Sequence, residues 1–70
     1  MRQDLIERIV RRLDALDQAQ APGDLDLPGF GLHPLRGLPK RYGVMINGLW
    51  RITFEWIDGE PWNLDLEQYH

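Results

Sequence analysis

No cysteine occurs among the 70 residues, which removes disulfides and thiolate-bound metal and fits a reducing compartment such as the cytoplasm. Long apolar runs are missing too: nothing approaches the roughly 18 residues that a membrane-crossing helix needs. The opening R-Q-D-L-I-E-R is too polar for a secretory leader, so a soluble protein with no membrane partner is expected. Histidine is scarce. His33 and His70 are the two present, and with the scattered carboxylates they show no metal-ligand spacing, so neither metal nor other cofactor is expected. The most telling absence is of acid: between Asp26 and Glu55 there is no carboxylate, while Arg36, Lys40, Arg41 and Arg51 stand there.

A net charge of −3 would by itself argue against a nucleic-acid partner, but charge acts locally. A basic middle within an acidic chain can hold a phosphate backbone, and it can equally be a solvated surface. An apolar content of 43% with three tryptophans suits a folded globule rather than a disordered chain. The length allows one domain, residues 1–70, with a single small core.

In Q-D-L-I-E-R-I-V-R-R-L-D-A-L-D-Q-A-Q, Leu5, Ile6, Ile9, Val10, Leu13 and Leu16 recur at spacings of three and four. That period predicts a helix over about residues 2–20 with one apolar stripe, leaving Arg8, Arg11, Arg12 and the acids for solvent or a partner. Ala21-Pro22-Gly23 ends it, and D-L-D-L-P-G-F-G reads as a loop entering a short extended segment. Beyond Leu32 the period becomes two, giving three strands and two turns in a sheet over about residues 30–69. Asn47-Gly48 predicts a two-residue hairpin with Met45 opposite Trp50 and Val44 opposite Arg51. At the second turn a three-residue loop, Asp58-Gly59-Glu60, keeps the faces consistent by setting Trp56 against Trp62, Phe54 against Leu64 and Ile52 against Leu66. The face with Trp50, Ile52, Phe54, Trp56, Trp62, Leu64 and Leu66 is then expected on the helix, with Tyr42, Val44, Arg51, Thr53, Glu55, Asp65, Glu67 and Tyr69 on the other. The fold class is α+β: an N-terminal helix packed on a small antiparallel sheet.

The reactive inventory sits in L-H-P-L-R-G, W-R-I-T-F and Q-Y-H. Cleavage of RNA by its own 2′-hydroxyl needs a base, an acid for the leaving oxygen and positive charge over the phosphorane. Histidine is the side-chain type whose unperturbed pKa lies near neutrality, so His33 and His70 suit the first two tasks. Arg36 and Arg51 suit the third, because a guanidinium grips phosphate through paired donors. Tyr69 can stack on a base or donate a hydrogen bond. Singly, each has a plainer reading: His33 before Pro34 suits a turn, Arg51 suits a cross-strand pair with Glu67 or Glu55, and His70 is a chain end.

Together, D-L-D-L-P-G-F-G-L-H-P-L-R-G, the strand Y-G-V-M-I-N-G-L-W-R-I-T-F-E-W and the closing E-Q-Y-H resemble the HigB-type toxins of the RelE/ParE superfamily. The resemblance runs from about residue 5 to residue 70 and implies a toxin of a type II toxin–antitoxin system. It implies a ribosome-dependent endoribonuclease that cuts mRNA and is neutralised by a HigA-type helix-turn-helix antitoxin, with a homodimer or a hetero-oligomer with antitoxin possible. His33, Arg36, Arg51, Tyr69 and His70 fall on the family's catalytic motif positions. Lys40, Arg41, Tyr42 and Gln68 are the accompanying RNA-binding candidates. Arg36 stands where lysine is commonest, and Gln68 where an acid is usual. Members usually carry a β-strand and a helical stretch ahead of the point where this chain starts, so a sheet edge open to another chain is expected. A member that binds its antitoxin without cleaving RNA, and a ParE-like gyrase inhibitor, are the alternatives; the two histidines weigh against the second.

Overall fold

The computed structural model describes residues 3–68. Helix α1 spans Gln3–Gln18, a 3-10 turn covers Pro22–Leu25, and four strands follow: β1 His33–Pro34, β2 Arg41–Met45, β3 Trp50–Ile57 and β4 Glu60–Gln68. The strands form one antiparallel meander in chain order, β1-β2-β3-β4, with the helix over one face. This is the expected α+β arrangement, with helix and sheet bounds within three residues of expectation and with a short fourth strand, β1, beyond the three expected. No described helix is long and apolar enough to cross a membrane.

The core is Leu16, Leu25, Phe30, Val44, Ile46, Ile52 and Phe54, all buried, with Leu5, Ile9, Tyr42, Trp50 and Trp56 packed round it. Each such buried side chain contributes about 1.5–3 kcal/mol by leaving water. Only part of the helical stripe takes part. Ile6, Val10 and Leu13 remain 39%, 48% and 43% exposed, and Leu13 with Leu64 and Leu66 of β4 borders an apolar groove over Ile9 and Ile52. Arg12, expected at solvent, is buried to 5% exposure.

Both hairpins depart from the predicted turns. Met45 pairs with Arg51 and Val44 with Ile52, so the first loop holds three residues, Asn47-Gly48-Leu49. Neither Asn47 nor Gly48 takes positive φ. Instead the Asn47 side-chain oxygen accepts from the amides of Leu49 and Trp50 at 2.8 and 2.9 Å, so the side chain closes a different turn from the one its dipeptide suggests. The slip moves Val44 into the core and Tyr42 to the helix-side face, where its ring stacks on Phe54 at 5.9 Å. The second turn is the shorter one. Ile57 pairs with Glu60, and Asp58 (φ 52°) with Gly59 (φ 80°) forms a two-residue left-handed turn. Trp62 therefore lies opposite Glu55, away from the helix and 49% exposed. A bulge with Asn63 at φ 54° then restores the alternation, and Ile52 meets Leu66 as expected.

Candidate functional site

Cross-strand partners in an antiparallel sheet point to the same side. The register therefore gathers His33, Arg41, Gly43, Met45, Arg51, Thr53, Glu55, Asp65 and Glu67 on the face away from the helix. One row runs straight across it, from His33 through Gly43 and Thr53 to Asp65. His33 and Arg51, predicted from opposite ends of the basic stretch, do share this face.

The His33 ring is fixed from two directions. Its Nδ1 lies 2.8 Å from the Gly31 carbonyl, which can only accept, so Nδ1 carries the proton and the neutral ring keeps a lone pair on Nε2. A Cβ on Gly43 would stand 3.2 Å from Cε1 and Nε2, so glycine makes the space in which the ring lies against β2.

Thr53, fully buried, is the hub of a hydrogen-bond network that the sequence reading did not single out. Its hydroxyl donates to Glu67 Oε2 at 2.7 Å and accepts from Arg41 Nη2 at 3.0 Å. Arg51 Nη2 donates to Glu67 Oε1 at 3.3 Å, and Arg41 Nη1 to Glu55 Oε2 at 3.3 Å. Arg41 also donates to the Asn63 carbonyl at 2.8 Å, and the Asn63 amide donates to Glu55. Hydrogen bonding from Thr53, and then the bond and charge of Arg51, hold the Glu67 carboxyl below its ordinary range, against an opposing push from burial. Thus Arg51 and Arg41 are each matched to a carboxylate. The Arg51 side chain is only 20% exposed, not open to solvent as an edge-facing residue would be.

The other predicted residues scatter. Arg36 is exposed on the loop between β1 and β2. Lys40 is exposed with its ammonium 5.6 Å over the Tyr42 ring, on the far side of the sheet from Arg51. Gln68 pairs with Trp50, one position off the Glu67 face. Tyr69 and His70 lie outside the described residues. Thr53 was legible only as a member of a face, whereas Glu67 was already a cross-strand candidate for Arg51, and that pair forms. The bonds of Arg41 to Thr53 and Glu55 need the true β2–β3 register, which the hairpin dipeptide misreports.

A family model described as "RelE-like toxin of type II toxin-antitoxin system HigB" matches residues 1–70. The chain is 39% identical over 66 residues to a protein of Proteus vulgaris named Endoribonuclease HigB, covering 93% of this chain and 72% of that relative. It is 35% identical over 63 residues to Toxin HigB-1 of Vibrio cholerae serotype O1, covering 87% of this chain and 66% of the relative. With a match along its whole length, the chain belongs to the HigB-like family of RelE-like toxins of type II toxin–antitoxin systems.

Proposed function

We propose that the chain is a ribosome-dependent endoribonuclease that cuts mRNA in the cytoplasm. Membership of a type II toxin–antitoxin family implies an antitoxin partner, and the proposed one is a HigA-type helix-turn-helix protein. The carrying observation is that His33, held by the Gly31 carbonyl with Nε2 free to accept a proton, shares a sheet face with Arg51. A relative that matches most of this chain is named an endoribonuclease. In this reading His33 takes or returns a proton at the 2′-hydroxyl or leaving oxygen, and Arg51 stabilises charge on the phosphorane. Arg36 supplies a second cation from its loop, while Tyr69 and His70 complete the acid–base set as the family motif implies. Glu67 competes with the phosphate for Arg51, so RNA binding must loosen the Arg51–Glu67 contact.

Inducible expression followed by primer extension on translated and untranslated messages tests this. Cuts in the translated message, lost in Arg51→Ala, are the expected result. Intact transcripts in cells holding folded protein would overturn it. The pairing of Arg41 and Arg51 with carboxylates favours one other reading, a member that retains antitoxin binding without cleavage. Capture of a helix-turn-helix partner together with uncut RNA would select it.

A further inference from the structure

The sheet face predicted to meet RNA has its guanidiniums matched by acids, whereas the helix carries three that are not. Arg8, Arg11 and Arg12 form one wall of a groove of about 430 Å³, closed on the other side by Gly29 of the loop before β1 and by Asn47 and Gly48 of the β2–β3 turn. No acidic residue among those described lines it. Among the described residues none of these three arginines is in an ion pair.

Arg12 gives the groove a built floor. Although buried, it spends Nε on Met45 O (2.9 Å), Nη1 on Arg8 O (3.2 Å) and Nη2 on Gly29 O (3.0 Å), and lies 4.4 Å over the Phe30 ring. These partners are neutral, so the positive charge stays uncompensated, and a guanidinium has more N–H groups than the three bonds use. Arg8 also donates to the Ile46 carbonyl at 3.3 Å, which holds it against the rim, and Arg11 is exposed. Burial, then repulsion from Arg11 and Arg8, lowers the proton affinity of Arg12, the strain that a bound anion relieves.

The groove also adjoins the candidate site. Met45, on its border, pairs with Arg51, and the loop that supplies Gly29 continues through Phe30 and Gly31 to His33. A strand leaving the His33–Arg51 face round the end of β2 reaches the arginines next. We infer that the Arg8–Arg11–Arg12 groove binds a backbone phosphate of the RNA, away from the scissile one. This rests on the reading of the chain as a ribonuclease.

The test uses the full chain and two probes, inorganic pyrophosphate and a 2′-O-methyl oligonucleotide that cannot be cleaved. Pyrophosphate is expected to shift the amide resonances of Gly29, Asn47 and Gly48 saturably, with the effect lost in Arg8→Gln/Arg11→Gln; Arg12 is left intact because the fold uses it. The oligonucleotide should move the same amides, and the slope of log affinity against log salt should fall by about 0.7 for each phosphate contact removed. Pyrophosphate shifts without oligonucleotide shifts would overturn the assignment to RNA. Absence of both would overturn the site itself. Cleavage is scored separately: a wild type that cuts RNA while the double variant keeps the full salt slope refutes the groove and leaves the ribonuclease reading standing. A wild type that binds through the groove but never cuts does the reverse.

Discussion

A backbone carbonyl, rather than an acid, orients His33, and a missing side chain at position 43 gives its ring room. Gly43 does not take positive φ, so alanine fits its backbone; only the 3.2 Å approach to the ring resists it. Gly43→Ala should therefore cut RNA cleavage at least several-fold while costing only about 1 kcal/mol of unfolding free energy, since the site is buried but unstrained. Paired cleavage assays and urea titrations check this, with the His33 ring resonances reporting the displacement. Arg51→Ala should remove cleavage too, but it also breaks the contact with Glu67. A stability loss of about 1 kcal/mol is expected by denaturant titration, more than an open surface site would give. Residue identities were the most legible layer of the chain. His33 and Arg51 stood out by chemistry together with the family motif, whereas Thr53 looked like an ordinary strand threonine because its value comes from two partners distant in sequence, Arg41 and Glu67.

At the level of elements, periodicity placed the helix and strands well and the turns poorly. Two rules competed at each turn, local dipeptide chemistry and the alternation of faces. At Asn47-Gly48 the dipeptide rule misled, since the asparagine side chain caps the turn itself. At Asp58-Gly59 the dipeptide rule won, and the bulge at Asn63, four residues on, reconciled it with the alternation. Neither outcome can be read from one strand alone. The resulting register sets Thr53 opposite Asp65 and Arg51 opposite Glu67, which leaves the Thr53 hydroxyl within hydrogen-bond reach of Glu67 on the diagonal, and this has a pH signature. The carboxyl of Glu67 titrates below its ordinary value in the fold, so its contribution is present above the ordinary carboxylate range and is lost as pH falls through the lowered value. Thr53→Val removes the largest cause. The stability gap between wild type and this variant should be widest near neutrality and narrow in acid, as urea midpoints measured from pH 7 down to pH 3 would show.

For the molecule as a whole, the sequence located a basic region correctly by count and incompletely in space. The acid-free middle is answered by carboxylates arriving from β3 and β4, while arginines of the helix, which looked balanced by neighbouring acids along the chain, line a groove without any. Linear charge counts miss this because nearness along a helix is not an ion pair: among the described residues none of the three arginines is bridged to an acid. The buried member of that set, Arg12, also joins helix, loop and hairpin through carbonyl groups. Arg12→Met keeps the bulk but orphans those acceptors, and should cost about 2–4 kcal/mol in global stability, measured by thermal or urea unfolding. The extra residue of β4 has a different consequence. Excising Asn63 would straighten the strand into a regular ladder, with Trp62 still across from Glu55 and Asp65 still across from Thr53. Every other side chain would keep its side and the protein would still melt in one step, while Arg41 would lose its carbonyl perch and Glu55 its amide donor.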